Sequence, residues 1–275
     1  MKSYSPKEYW TDVVESFCSA DAAGLAPVLH PGAPRWFNQQ IDDLQRRAVQ
    51  RALTLAALAS GASVLDVGCG TGRWVRRFQE IGLRATGVDA TATMLRLARL
   101  CGTRAPLLAG EAFRLPFADA AFDCISDITV VQHIPTPLQP QALAEMIRVL
   151  RPGGRLILME LIRGRDAHIF PRSPQDWIRQ ATSCGATLIG WFGQEFLLLD
   201  RLFVQIVQAV ASRNGIGTRG DIHPTGLAPR PDSVARHTFW AIRHITTSFS
   251  KWIDPLAEKL CPPQFATHGV FVFRK

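Results

Sequence analysis

The segment Val64-Leu65-Asp66-Val67-Gly68-Cys69-Gly70-Thr71-Gly72 carries glycine at every second position from 68 to 72, between an apolar run and a helical one. A glycine, having no Cβ, lets the backbone turn tightly and come close to a ligand. The free amides at the start of the following helix can hold an anionic group such as a carboxylate. The spacing is G-x-G-x-G with Arg73 next, so it does not fit the dinucleotide fingerprint G-x-G-x-x-G, and the Gly-Lys-Ser/Thr of a phosphate loop is missing. Asp66 stands two residues before the first glycine, and Asp89 ends the next apolar run. An acid at the end of that second run can accept hydrogen bonds from ribose hydroxyls. Taken singly, each acid also fits a helix cap or an ion-pair partner, and the glycines fit an ordinary strand-to-helix turn.

The elements that must position these residues follow from the apolar pattern. Short apolar runs at 64–67, 85–89, 106–109, 122–126 and 155–161 predict strands, and 73–81, 93–100 and 140–150 predict helices between them. Such alternation implies a mainly parallel sheet with helices on both faces. Upstream, Phe37, Ile41, Leu44, Ala48, Leu53, Leu55 and Leu58 recur at helical spacing over 36–58, with Gly61 as the expected stop. Downstream, Ser173 before Pro174 predicts a capped helix over 174–183. A strand at 187–192, an apolar helix at 196–212, a loop at 214–231, a helical stretch at 233–259 broken at Pro255 and a strand at 269–273 complete the pattern. The expected division is a helical lid at 1–58, a core at 59–195, a helical insertion at 196–262 and a last core strand at 263–275.

In family order and at family spacing, the stretches 64–72, Gly87-Val88-Asp89, Gly110-Glu111-Ala112-Phe113-Arg114-Leu115-Pro116-Phe117, Phe122-Asp123 and Leu150-Arg151-Pro152-Gly153-Gly154 resemble the class I S-adenosylmethionine-dependent methyltransferases, of the small-molecule type. The resemblance implies a Rossmann-like fold with a mainly parallel seven-stranded sheet. It implies S-adenosyl-L-methionine as cofactor, S-adenosyl-L-homocysteine as product and no metal. Carried over by position, Asp66, Gly68, Gly70 and Gly72 surround the methionine part, with Cys69 a small packed residue among them. Asp89 binds the ribose, Ala90 flanks the adenine, Glu111 faces its amino group with Ala112 beside it, and Asp127 lies near the sulfonium.

Methyl transfer from a sulfonium is an in-line displacement, in which positioning and exclusion of water do most of the work. A base is needed only where the acceptor must lose a proton. His133, beyond the fourth strand at the edge where parallel sheets hold ligands, is the candidate base. The resemblance equally allows it a packing role. No Asn/Asp-Pro-Pro-Tyr motif follows that strand, which disfavours planar amide or nucleobase nitrogens, and no acidic metal-binding set is evident. Trp36, Phe37, Arg163, Arg165, His168, His237 and Trp240 are candidate acceptor contacts, with core packing as the alternative for each. The insertion is expected to cap the site, with Trp240 or His237 facing it, or else to form a dimer interface.

The expected reaction is methylation of a small molecule, at oxygen, in secondary or sugar metabolism. The alternatives are an RNA or protein methyltransferase, and a non-methylating protein that keeps the cofactor as a structural or regulatory ligand. Composition bounds these readings. The chain has 275 residues, 47% of them hydrophobic and 20% charged, enough for a large core. The six cysteines are scattered without a C-x-x-C pair, which disfavours a disulfide scaffold or a zinc site. The net charge of +8 is spread as single arginines and short pairs, without the basic block of a nucleic-acid binder. With no signal-peptide-like run and no membrane-length apolar segment, a cytoplasmic monomer or homodimer is expected.

Overall fold

In the computed structural model, which describes residues 4–17, 24–164, 168–213 and 234–275, the chain opens with helices α1 (Pro6–Phe17) and α2 (Arg35–Ala56). There follow β1 (Ser63–Val67), α3 (Arg73–Glu80), β2 (Arg84–Asp89), α4 (Ala92–Leu100), β3 (Leu107–Ala109), β4 (Phe122–Ile128), α5 (Gln139–Val149) and β5 (Leu150–Leu161). Then come α6 (Pro174–Ser183), β6 (Thr187–Gln194), α7 (Leu198–Arg213), α8 (Val234–Leu260) and β7 (His268–Arg274). The expected loop at 214–231 and Arg165 lie outside the described residues.

The strands form one sheet in the order β3-β2-β1-β4-β5-β7-β6. Every pairing is parallel except those of β7, which runs antiparallel to both β5 and β6. Alternate residues of the strands feed two cores, one on each face. Leu65, Ile125, Leu156, Leu158, Phe271 and Phe273 pack with Leu143 and Met146 of α5 and Trp177 of α6. Val64, Cys124, Ile157, Met159, Val270 and Val272 pack with Val49 and Ala52 of α2 and Trp74 and Phe78 of α3. Burial on both faces explains why the strands read as continuous apolar runs rather than alternating ones. From β1 the chain winds outward to β2 and β3, then returns to β4 on the other side. The reversal leaves a crevice beyond the carboxyl ends of β1 and β4, the place where such sheets hold ligands.

Three local expectations need correction. Helix α2 ends at Ala56, five residues before Gly61: Ala57 takes the left-handed conformation at φ 47° and its N–H donates to the Leu53 carbonyl at 3.1 Å. Leu58, which fits the helical spacing, therefore lies beyond the helix. Strand β5 starts at Leu150, because Leu150 pairs with Phe122 before the ladder resumes at Arg155 and Cys124. Helix α8 runs unbroken through Pro255. A proline removes one helical hydrogen bond, and the turns around it are held by the burial of Asp254 and Ala257 and by the Leu197 N–H, which donates to Asp254 Oδ2 at 3.1 Å. The cap at Ser173 is as the sequence predicts, its Oγ accepting from the Asp176 N–H at 3.2 Å.

The insertion rests on α2. Leu197, Phe239 and Trp240 form a cluster with Phe37, Ile41 and Leu44. Asp200 of α7 and Arg243 of α8, both buried, pair through two bonds of 2.9 and 2.8 Å, and the guanidinium lies 4.4 Å over the Phe37 ring.

Candidate cofactor and acceptor site

The glycine turn is fixed by its neighbours before any ligand is considered. Gly68, Gly70 and Gly72 have φ of 64°, 51° and 69°. A Cβ on Gly68 would stand 2.5 Å from the Val130 side chain, and one on Gly70 would stand 2.8 Å from Val28. Asp89, at the end of β2, ties the turn to the neighbouring strand: its Oδ2 accepts from the Gly70 N–H at 2.9 Å and its Oδ1 from the Thr91 N–H at 2.8 Å. Burial raises the pKa of this carboxyl. Cys69 is buried, with its Sγ over Gly87, so it is a packed small residue as expected.

A cleft of about 910 Å³ opens over this turn. Seven of the predicted cofactor residues line it: Gly68, Cys69, Gly70, Asp89, Ala90, Glu111 and Ala112. Three do not, for separate reasons. Gly72 caps α3 and packs on Thr103. Asp66 lies one layer below the turn, buried, with no hydrogen-bond partner for Oδ2, and burial pushes its pKa up to about 8. Asp127 is also behind the wall. It abuts Glu160, and burial together with that neighbour raises its pKa well above the usual carboxylate range. Glu160 is the member of the pair that organises the site: its Oε1 accepts from the Val130 and Val131 N–H groups at 2.9 and 2.8 Å, and its Oε2 from Gln132 N–H at 2.9 Å. This single buried carboxylate shapes the turn after β4 that carries His133.

A second cavity of about 770 Å³ adjoins the first, and Trp10, Val28, Thr129 and His133 line both. Thr129 adopts φ 61°, a costly conformation for a β-branched residue. His133 is buried on the partition. Its Nδ1 lies 3.2 Å from the His168 carbonyl oxygen and its Nε2 lies 3.3 Å from the Gln132 side-chain nitrogen. The carbonyl can only accept, so Nδ1 carries the proton and Nε2 the lone pair. His30, His168, His268, Arg163, Gln45 and Gln132 complete the polar lining, and among the described residues no Asp or Glu lines this cavity. His268 Nδ1 is 3.0 Å from Glu195 Oε2, and Glu195 itself is held at φ 65°.

Helix α1 walls both cavities. Pro6 and Lys7 line the first, and Trp10 sets its ring edge-on to His133 at 4.9 Å. The Tyr9 ring stacks on His168 at 4.3 Å with its hydroxyl 3.2 Å from Nε2, and the Tyr4 hydroxyl donates to the His133 carbonyl at 3.1 Å. Of the predicted acceptor contacts, Arg163 and His168 join His133 here. Trp36, Phe37, Trp240 and His237 line neither cavity. The first three pack between α2 and the insertion, where burial of large rings outweighs exposure to a ligand, and His237 is exposed on α8. Sequence reasoning missed Gln132, Glu160 and the Glu195–His268 pair. Only Glu160 left a signal, as an acid inside an apolar strand.

The residues present fit S-adenosylmethionine. Asp66 Oδ2 is a buried acceptor without a hydrogen-bond partner beneath the turn, Gly68 and Gly70 add no side chains of their own to the cleft, and Asp89 lines it where ribose hydroxyls would donate. Among the described residues no group of three metal-binding side chains occurs, and no helix is long and apolar enough to cross a membrane.

Fold and cleft together define a Rossmann-like α/β protein with a cleft over the β1 turn. Comparison with known proteins narrows the class. Residues 65–158 match a family model described as "Methyltransferase domain". The malonyl-[acyl-carrier protein] O-methyltransferase of Erwinia pyrifoliae is 34% identical over 223 residues, 76% of this chain and 80% of that protein. The demethylmenaquinone methyltransferase of Renibacterium salmoninarum is 36% identical over 100 residues, 36% of this chain and 41% of that one. Among solved structures, phosphoethanolamine N-methyltransferase 2 of Haemonchus contortus, in complex with S-adenosyl-L-methionine, shares the fold with a TM-score of 0.57 at 17% identity, over all of this chain and 60% of its own. The chain belongs to the class I S-adenosylmethionine-dependent methyltransferases. It is therefore a methyltransferase enzyme, and the non-methylating alternative falls away.

Proposed function

We propose that the enzyme methylates an oxygen of an acidic small molecule held in the second cavity, with His133 as the base. The observation that carries the reading is the shared partition: among the described residues, His133 is the titratable one that lines both cavities. When bound in the first cleft, the cofactor supplies an electrophilic methyl group on its sulfonium. The protein's own part is positioning and proton handling. Asp89, Glu111 and the glycine turn hold the nucleoside and amino-acid ends, and Asp66, buried beneath the turn, supplies the counter-charge of the ammonium across it. Glu160 fixes the turn that leads into His133 by accepting the amides of Val130, Val131 and Gln132, so His133 keeps its place without a mobile loop. With Nδ1–H facing the His168 carbonyl, Nε2 takes the proton of an acceptor hydroxyl that displaces the Gln132 amide now 3.3 Å from it; for an acceptor that arrives ionised, the imidazoles and Arg163 hold it instead. The α1 wall keeps bulk water from the partition, which strengthens each of these interactions.

The lining favours an acidic acceptor over a neutral polyol, and the relatives support small-molecule methylation without pointing to secondary or sugar metabolism. The Erwinia relative is an O-methyltransferase of a malonyl group, which agrees with an acidic oxygen acceptor. The test is label transfer from methyl-labelled cofactor to a panel of carboxylic acids, acidic hydroxyls and amines. Products that are methyl esters or ethers, with turnover lowered at least tenfold by His133→Asn at unchanged S-adenosylhomocysteine affinity, support the reading. Transfer only to amines, or full activity in His133→Asn on hydroxyl acceptors, refutes it.

A further inference from the structure

Two rows of side chains with three-four spacing run along α8. Trp240, Arg243, Thr247, Ser250, Asp254 and Ala257 are buried against the rest of the chain. Ile242, Ile245, Phe249, Trp252 and Leu256 are exposed, Phe249 by 60% and Trp252 by 86%. The second row is the first displaced by two residues, about 200° around the helix, so it points away from the protein. A surface helix in water turns its apolar stripe inward. Here the inward row is the polar one, and the Asp200–Arg243 pair fixes the rotation of α8 so that the apolar row cannot roll under.

We propose that this outward row is covered by the same face of a second copy of the chain, forming a two-fold dimer. Three features favour that occupant. Apolar residues repeating at three and four over two heptads are the seam of a helix packed on another helix. With Leu202 and Ile206 of α7 and Leu260 of α8, also exposed, the row brings eight large apolar side chains to the surface, on the scale of the ~800 Å² each partner gives to a stable interface. Finally, the positions beside the row at 241, 246, 248 and 253 are uncharged, and the charge that continues it, Lys259, stands at its C-terminal end, away from the middle. A two-fold axis through the middle of the row brings the residues there near their own copies, so charges at that point would repel.

Sedimentation velocity of the full chain tests this. The wild type is expected to be a dimer, and Trp252→Glu and Phe249→Glu are expected to be monomers with unchanged helicity and S-adenosylhomocysteine affinity. Phe249 is the middle of the row, so Phe249→Cys should form a disulfide-linked dimer under mild oxidation, whereas Leu100→Cys, 84% exposed on α4, should not. A wild type that is monomeric at every concentration overturns the proposal. So does a monomer that sediments with phosphatidylglycerol vesicles, or a dimer that survives both glutamate substitutions. A wild-type dimer in which Phe249→Cys cross-links no more than Leu100→Cys overturns it as well, and that comparison does not depend on the glutamate variants folding.

Discussion

With Asp66 proposed as the counter-charge of the ligand's ammonium, cofactor binding should depend on pH in a direction that can be worked out. Burial holds this carboxyl at about 8 in the free protein, so at pH 6 it is protonated. Pairing with the ammonium of the ligand's methionine part requires the carboxylate. Ionising a group two units below its pKa costs about 2.7 kcal/mol, or a hundredfold in affinity. Affinity for S-adenosylhomocysteine should therefore rise about tenfold per pH unit between 6 and 8, and stop rising there as the ligand's own amino group begins to lose its proton at about 8. Titration calorimetry in buffers of different ionisation enthalpy should count one proton released on binding at pH 6. Stability runs the other way. The folded-state pKa lies above the unfolded value of 3.8, so between these values the folded protein binds the extra proton and loses stability as pH rises, by up to about 1.4 kcal/mol per unit. Asp66→Asn removes both effects: the apo variant should melt higher than wild type at pH 8, bind the ligand more weakly there, and lose the acidic limb of the affinity profile. The same acidic limb in the variant, or a pH-independent wild type, would refute the reasoning.

Asp89→Ala should cost roughly 1.5–3 kcal/mol of S-adenosylhomocysteine affinity, about ten- to a hundredfold, while also freeing the Gly70 and Thr91 amides; calorimetry showing unchanged affinity would remove Asp89 from the ribose. Gly70→Val should abolish cofactor binding with the fold kept, since even a Cβ there meets Val28 at 2.8 Å; tight binding by a folded variant contradicts the glycine-turn assignment. Trp240→Ala should destabilise by about 3–5 kcal/mol, as loss of a core aromatic does, and leave cofactor affinity and acceptor KM unchanged; thermal melting that does not move, with a raised KM, would return Trp240 to the acceptor site.

What the sequence made legible was local. Residues 64–72 combine an apolar strand, left-handed glycines and a helix start within nine positions, so strand, turn and ligand face could all be inferred from one stretch. The parallel core followed from apolar runs buried on both faces. Contacts between distant segments left no such mark. Nothing in the spacing says that Trp10 of α1 meets His133 while Trp36 of α2 meets Trp240, because both are aromatic residues at helical positions. Glu195 and His268 come together only because β6 and β7 pair antiparallel. Pro255 misled because a local rule about helices was overridden by tertiary packing on both sides of it. His133 was legible as a candidate, but its bracing by Glu160 across β4 and β5 was not.

The wall formed by α1 has a kinetic consequence. Tyr4, Tyr9 and Trp10 are laid across His133 and His168 by hydrogen bonds and ring contacts, and the same helix borders both cavities. Were ligands to pass where α1 lies, exchange would be timed by a local opening equilibrium of Pro6–Phe17 rather than by diffusion. Every measured affinity would then contain the free energy of docking α1, and a ligand that binds only the closed form would slow amide hydrogen exchange along Pro6–Phe17 by the factor in which it shifts that equilibrium. Catalytic turnover and the protection of a helix at the far N-terminal side of the chain would become two readings of one clock.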